Sequence, residues 1–114
     1  MVEIKRIYDT PSPRDGRRVL VDRLWPRGVR KDQKVADDWT KEIAPSDDLR
    51  KWFSHDPAKW VEFKRRYKKE LEAKPELVEQ LRRQAREGPL TLLYAAKDTR
   101  HNNAVVLKEI IAAG

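Results

Sequence analysis

The chain has 114 residues, a formal net charge of +7 and no cysteine, which excludes disulfides, cysteine-ligated metals and thiol nucleophiles. Its apolar fraction of 39% lies below the globular average of roughly 45–50%, but four Trp, three Tyr and two Phe supply area for one core. No apolar run approaches a membrane span and the start carries no secretion signal, so we expect a cytoplasmic protein with one domain, residues 1–114. The positive charge favours anionic partners.

The first part of the chain predicts two strands and one ambiguous segment. Residues 2–7 alternate apolar and polar side chains, which is typical of a half-buried strand, and residues 10–16 form a loop rich in Pro, Asp and Gly. Residues 18–24 are β-branched and apolar at their centre, and Trp25-Pro26-Arg27-Gly28 ends this buried strand. Residues 37–43 fit both a helix and a strand, and we favour a short strand.

The middle of the chain is helical. Ser46 is a typical N-cap for a short first helix, and Asp56 followed by Pro57 starts a second. Residues 75–87 form a third helical pattern, which Gly88-Pro89 ends. Apolar side chains at spacings of three and four mark the inner faces of these helices: Leu49, Trp52, Phe53, Trp60, Phe63, Tyr67, Leu71, Leu77, Val78, Leu81 and Ala85.

The last part predicts a strand, a polar loop and a closing helix. Residues 90–96 are nearly all apolar, as expected of a central strand covered on both faces. Residues 97–103 are polar, and residues 104–111 return to a helical pattern. Because strands alternate with helices, the sequence predicts a single α/β domain with a small, mainly parallel or mixed sheet of about four strands.

Two polar clusters follow the two buried strands and would share one sheet edge if those strands run parallel. Ligands of open α/β sheets bind beyond the carboxyl ends of the strands, and the start of a helix attracts anions. We therefore expect an anionic small molecule, bearing phosphate or carboxylate, at this edge. Asn102 or Asn103 can instead serve only as the N-cap of the last helix, but capping explains one Asn and not the three basic neighbours, so we favour the ligand site. The expected ligand-binding residues are Arg23, Arg27, Arg30, Lys97, Arg100, Asn102 and Asn103.

Three side chains are candidates for acid–base chemistry. An imidazole beside a helix N-terminus tends to stay neutral, so His101 can act as a base that Asp98 orients. A His101 that only forms hydrogen bonds is an equal alternative. Asp22, at a strand exit, suits a general base, a metal ligand or a nucleophile on phosphate. The alternative, which we favour, is a structural ion pair between Asp22 and Arg23 or another nearby Arg. Haloacid-dehalogenase-like phosphatases also place an Asp after such a strand, but they need a second Asp two residues later. Leu24 occupies that position here, so this class of enzyme is set aside.

Other motifs point away from specific chemistry. Ser54-His55-Asp56 spells the letters of a catalytic triad, but adjacent residues rarely converge, and Asp56 is better explained as a cap. Two His and scattered carboxylates give no zinc or calcium spacing, and four distant glycines give no phosphate loop. The sequence identifies no metal site and leaves any cofactor unknown.

A basic run on the second helix raises the alternative of nucleic-acid binding. Lys64-Arg65-Arg66 and Lys68-Lys69 spread over its outer half with Glu62 and Glu70 alongside, a pattern more typical of a solvated face. The alternatives to a small-anion site are thus a nucleic-acid-binding module and a protein-interaction domain. The latter would be supported by an exposed apolar patch that contains a Trp.

Four segments of the chain resemble the YeaO-like proteins, a family of unknown function (DUF488). The resemblance implies a compact α/β fold and carries no established activity. Longer relatives in the wider superfamily have a Cys-His-Arg motif just before the final helix, where this chain has Arg100-His101-Asn102 and no Cys, so thiol chemistry is excluded. The segments are VLVDRLWPRG at residues 19–28, LRKWF with HDP at 49–57, residues 60–71 and residues 90–107.

Overall fold

The computed structural model describes residues 1–114 and contains four strands and four α-helices. Short 3₁₀ helices occupy Pro13–Asp15, Lys41–Ile43 and Pro57–Lys59. The main elements, in chain order, are β1 (Val2–Arg6), β2 (Arg17–Leu20), β3 (Asp38–Trp39), α1 (Asp47–Phe53), α2 (Trp60–Glu72), α3 (Pro75–Glu87), β4 (Leu90–Tyr94) and α4 (Asn103–Ala113).

The four strands form one sheet in the order β1-β4-β2-β3, and every neighbouring pair is parallel. β4 lies between β1 and β2, with Leu92 aligned to Ile4 on one side and to Val19 on the other. This central position explains why all five residues of β4 are buried. The α/β fold with a small parallel sheet is confirmed.

The two faces of the sheet are covered by different structural elements. Successive strand residues point to opposite faces, so Val19 and Leu92 join the main core while Leu20 and Leu93 join a smaller cluster. The main core also contains the buried residues of all four helices: Leu49, Phe53, Phe63, Tyr67, Leu71, Val78, Leu81, Ala104, Val106, Leu107 and Ile111. The smaller cluster is covered by half-buried residues of the connection between β2 and the 3₁₀ helix at 41–43: Trp25, Val35, Ala36 and Trp39. The helices thus lie on one face and long loops on the other.

The segment 37–43, for which we favoured a strand, divides into two short elements. Asp38–Trp39 pairs with β2 at the sheet edge, and the Thr40 N–H extends this contact to the Leu20 carbonyl at 3.0 Å. The chain then turns into a 3₁₀ helix at Lys41–Ile43. The segment therefore contains a short strand and a short 3₁₀ helix, each of only two or three residues.

β2 ends earlier than the predicted strand at 18–24. The Val21 N–H still donates to the Leu93 carbonyl at 3.1 Å. One residue later the carboxylate of Asp22 accepts the Ala95 N–H at 2.9 Å, where a backbone carbonyl would continue the ladder. A side chain therefore replaces the strand partner, and the backbone is free to leave the sheet.

The predicted helix starts lie close to the observed ones. Ser46 accepts the Leu49 N–H at 3.1 Å, and Asp56 accepts the Ala58 N–H at 3.0 Å. Asp56 begins the 3₁₀ helix that leads directly into α2. None of the helices is long and apolar enough to cross a membrane.

Candidate functional site

An open cleft of about 730 Å³ lies at the carboxyl ends of β2 and β4, beside the start of α4. Three parts of the chain form most of it: the exit of β2, the loop between β4 and α4, and the region from the end of the 3₁₀ helix at 41–43 into α2. Its lining residues are Tyr8, Asp22, Arg23, Leu24, Trp25, Pro26, Arg27, Ala44, Pro45, Arg50, Phe53, His55, Phe63, Ala95, Ala96, Lys97, Asp98, His101, Asn102 and Asn103.

Asp22 is half-buried at the exit of β2 and forms no ion pair. Its carboxylate accepts the Ala95 N–H, and its main-chain carbonyl accepts the indole N–H of Trp39 at 2.8 Å. Burial raises the pKa of Asp22, and the Ala95 N–H, the Asn103 amide and the nearby His55 offset only part of that rise. The ion pair with Arg23 that we favoured is absent, because the Arg23 guanidinium donates to the carbonyls of Ala44 and Pro45 instead.

Asp98 and His101 form a hydrogen-bonded pair in the loop before α4. Asp98 Oδ1 accepts the backbone N–H groups of Arg100 and His101, and Oδ2 lies 2.8 Å from His101 Nδ1. These hydrogen bonds lower the pKa of Asp98. Because an ionised carboxylate only accepts, Nδ1 is the donor in this contact, an arrangement that leaves Nε2 as an acceptor whenever the ring is neutral. Trp60 packs edge-on against the imidazole at 5.2 Å and fixes its orientation.

The two asparagines at the start of α4 have different tasks. Asn102 is buried and is the N-cap, since its side-chain oxygen accepts the Val105 N–H at 3.1 Å. Its amide also donates to the Asp98 carbonyl, which closes the loop. Asn103 donates to the Val21 carbonyl at 2.9 Å and so ties α4 to the exit of β2. These contacts bring the helix N-terminus to the cleft.

The cations of the cleft differ in how far the protein already uses them. Arg23 is committed to two backbone carbonyls. Arg50 forms an exposed pair with Asp47 at 3.4 Å, which is a weak interaction. Arg27 and Lys97 are exposed, and their side chains have no hydrogen-bond or ion-pair partner in the protein.

Two residues of the expected binding set do not line the cleft. Arg30 pairs with Asp32 at 3.1 Å on the surface, where both side chains are more than 70% exposed. Arg100 contributes its backbone N–H to the turn around Asp98, and its side chain is exposed outside the cleft. The other expected residues share the cleft with Asp22, Asp98 and His101.

His55 lines the cleft although the sequence analysis gave it no role. Ser54 and His55 both have positive φ, 47° and 56°, so the chain makes two successive left-handed residues after α1. L-residues rarely adopt this backbone, and such strain clusters at functional sites. Ser54 and Asp56 do not line the cleft, so no triad forms. The available signal was a helix end without Gly, which predicts an unusual turn but not its direction.

Two further residues near β1 hold the walls of the cleft. Arg6 donates to the carbonyls of Ala95 and Ala96 at 3.0 and 2.9 Å, and its guanidinium lies over the Tyr8 ring at 4.9 Å. The Tyr8 hydroxyl donates to the Arg27 carbonyl at 2.7 Å. Nothing in the local sequence pattern distinguished this Arg from the other 25 cationic residues.

Four of the five cations in the basic run on α2 form ion pairs, and Lys69 forms none. Glu62 pairs with Arg65 and Arg66, which lowers its pKa to about 2, and Glu109 of α4 pairs with Lys64 and Lys68. All four Trp side chains are half-buried against the two apolar clusters, so none stands free to stack on a base. No three His, Asp or Glu side chains come together as a metal-binding group.

The fold and the cleft together define a small parallel α/β domain whose cleft, at the carboxyl edge of the sheet, is lined by four Lys or Arg residues, two carboxylates and eight hydrophobic residues. Residues 1–114 match the family described as "Inactive DUF488-N3 subclade", and the chain belongs to this family.

Two bacterial relatives cover nearly the whole chain. It is 44% identical to the uncharacterized protein YeaO of Escherichia coli K12, over 95% of this chain and 94% of that protein. It is 39% identical to the uncharacterized protein Rv3073c of Mycobacterium tuberculosis, over 96% and 92%. The resemblance to YeaO-like proteins of unknown function is therefore confirmed. No solved structure matches the chain.

Proposed function

We propose that the protein binds a small anionic molecule in the cleft at the start of α4. The observation that carries this proposal is that the cleft has more cationic than anionic side chains, and that two of the cations have no partner within the protein. Four cations, Arg23, Arg27, Arg50 and Lys97, line the cleft with only two carboxylates. Both carboxylates accept hydrogen bonds from the protein, whereas Arg27 and Lys97 have no partner in it.

The N-terminus of α4 adds to this positive field. Free N–H groups and the helix dipole favour a phosphate or carboxylate at such a position. Asn102 caps the helix and Asn103 anchors it to β2, so the N-terminus keeps a fixed place at the cleft. The hydrogen bonds from Arg6 hold Ala95 and Ala96, the two residues that follow β4 and line the cleft. A preorganised site of this kind binds without ordering loops first.

Binding without turnover is the form of this function that we favour. The matching family is described as inactive, and the chain has no cysteine to act as a nucleophile. We also propose the cytoplasm as the place of this binding, which cell fractionation tests.

A thermal-shift series at low salt tests the proposal. The probes are inorganic phosphate, pyrophosphate, adenosine monophosphate and citrate. A ligand present at about 100 times its Kd stabilises the native state by about 2.7 kcal/mol, a shift of several degrees in Tm. We expect at least one probe to give such a shift.

Charge-matched variants locate the binding. Arg27→Gln and Lys97→Gln are expected to reduce the shift, whereas Arg83→Gln, an exposed position on α3 outside the cleft, is expected to leave it unchanged. An equal loss in all three variants would indicate a general charge effect and contradict the site. No shift with any probe would contradict the proposal as a whole.

The Asp98–His101 pair supports a second candidate function, that of an enzyme with a general base. The carboxylate orients the ring, and Nε2 is left free to take a proton. Turnover of chromogenic phosphate and carboxylate esters tests this function. Activity that His101→Gln removes would establish the enzyme, and activity that survives in His101→Gln would exclude the pair as its source.

Nucleic-acid binding remains the alternative partner, and it predicts a different signature. Affinity for oligonucleotides would fall log-linearly with salt concentration. Glu62 and Glu109 pair with four of the five cations in the basic run on α2, and this partial pairing argues against a duplex-binding surface there. A salt-dependent affinity lost in Arg65→Gln would favour this alternative over the cleft.

A further inference from the structure

The cleft has an apolar part next to its cations. Eight of its 20 lining residues are hydrophobic. Phe53 and Phe63 stack on each other at 4.3 Å and are almost fully buried, so their edges form part of the floor. Tyr8 and Leu24 line the same cleft but are 45% and 59% exposed, which places them toward its mouth.

Leu24 differs from the other exposed apolar residues by this position. Single exposed hydrophobic residues are normal on protein surfaces, and Val61, 82% exposed on α2, needs no explanation. Leu24 instead lines the cleft, next in the sequence to the cationic Arg23 on one side and to Trp25 and Pro26 on the other, and Leu24, Trp25 and Pro26 are called the apolar wall here. Its neighbours Trp25 and Pro26 are half-buried and buried, and they line the cleft as well.

The size of the cleft also exceeds what a bare oxyanion fills. Clefts of about 300–1,000 Å³, mainly apolar and with a few placed polar groups, are typical of sites for drug-sized ligands. A volume of about 730 Å³ lies within that range. From the volume, the apolar floor and the exposed Leu24 we infer that the ligand is an amphipathic anion, a phosphate or carboxylate joined to an aromatic or aliphatic body. This inference rests on the proposed anion site.

The experiment compares two probes with the same charged group and different bodies. Methylphosphonate and phenylphosphonate are titrated into the ¹⁵N-labelled full chain, and Kd values are taken from amide shift changes. The burial of a phenyl ring against Phe53, Phe63 and Leu24 is expected to make phenylphosphonate at least tenfold tighter. The shifts are expected at Ala95 to Asn103 and at Leu24.

Two matched variants test whether Leu24 carries the preference. Leu24→Ser is expected to reduce the ratio of the two Kd values at least threefold. Val61→Ser removes an even more exposed apolar side chain elsewhere and is expected to leave the ratio unchanged. Benzyl alcohol, which has the ring without the charge, is expected to bind at least tenfold more weakly than phenylphosphonate.

The outcomes separate this inference from the function on which it rests. Equal Kd values for the two phosphonates would overturn the amphipathic ligand and leave the anion site standing. Benzyl alcohol binding as tightly as phenylphosphonate, or no binding of either phosphonate, would contradict the anion site itself. Self-association of the chain that Leu24→Ser abolishes would show that a second copy covers this wall, which would also overturn the inference.

Discussion

Asp15 and Asp22 flank the same strand, β2, one before its first residue and the other after its last. Asp15 is only 8% exposed and sits in a closed cluster where Lys5, Arg18 and the Ser12 N–H all bind its carboxylate. Asp22 is half-buried at an open cleft, and its carboxylate accepts one backbone N–H and no cation. The first charge is neutralised within the protein, and the second faces the space where a ligand would bind.

The pKa values of the two aspartates move in opposite directions for this reason. Burial raises the pKa of Asp15, but the Ser12 N–H, Lys5 and Arg18 outweigh it, so the net pKa lies below the ordinary value. At Asp22 burial dominates and the pKa is raised. A carboxylate whose charge is fully compensated supports the fold. A carboxylate such as Asp22, whose negative charge is partly buried without a cation beside it and therefore lowers stability, is the better candidate for function.

The largest expected effect comes from Asp15→Asn. The substitution leaves the half-buried Lys5 and Arg18 without their counter-ion, which costs about 3–5 kcal/mol when one partner of a buried pair is removed. Urea unfolding measures the loss. Asp38→Asn, which breaks the exposed pair with Arg17, serves as control and is expected to cost no more than about 1 kcal/mol. Equal losses would show that the Asp15 cluster is not a buried structural site.

The pH dependence of this loss sharpens the same point. Because the folded pKa of Asp15 is depressed, its stabilisation is present above the unfolded value of about 3.9 and disappears as pH falls through the folded pKa. The difference in unfolding free energy between the wild type and Asp15→Asn is therefore expected to be full at pH 6 and to shrink below about pH 4. Urea unfolding at pH values from 3 to 7 measures it. A pH-independent difference would contradict a charge-based role.

Much of this architecture could be predicted from the sequence because it depends on local patterns. The apolar run at 90–96 predicts a central strand. Ser46 and Asp56 are predicted as caps because each cap depends on one hydrogen bond to a backbone N–H nearby in the sequence. The end of β2 could not be predicted in the same way. It depends on Asp22 reaching Ala95, a contact between residues 73 positions apart.

The candidate site was predictable to the extent that topology alone defines it. Parallel neighbours β2 and β4 bring Asp22, Asp98 and His101 to one cleft. The preferred ion pair of Asp22 was wrong because Arg23 finds backbone carbonyls exposed by the turn at Ala44 and Pro45. Such acceptors depend on the path of a loop, which no residue pattern specifies.

A smaller effect of opposite sign is expected for Asp22→Asn. The amide oxygen can still accept the Ala95 N–H, and the cost of a partly buried charge disappears. Because the folded pKa of Asp22 is raised, the wild type loses stability as pH rises through that pKa. The variant is therefore expected to match the wild type at pH 3 and to be more stable by about 0.5–1 kcal/mol at pH 7. A loss of stability at pH 7 would place Asp22 in the same class as Asp15.

An effect of similar size is expected at the left-handed turn that brings His55 to the cleft. Glycine tolerates positive φ, so His55→Gly and Ser54→Gly should each stabilise the fold by about 0.5–1 kcal/mol, measured by urea unfolding. Only His55 lines the cleft, so only His55→Gly should weaken the binding of methylphosphonate, severalfold. A strained residue whose replacement improves stability and impairs binding is retained for the ligand. If both variants gain stability and bind equally well, the turn has no role in the site, and only Asp22 and the Arg and Lys residues that line the cleft remain as candidates for function.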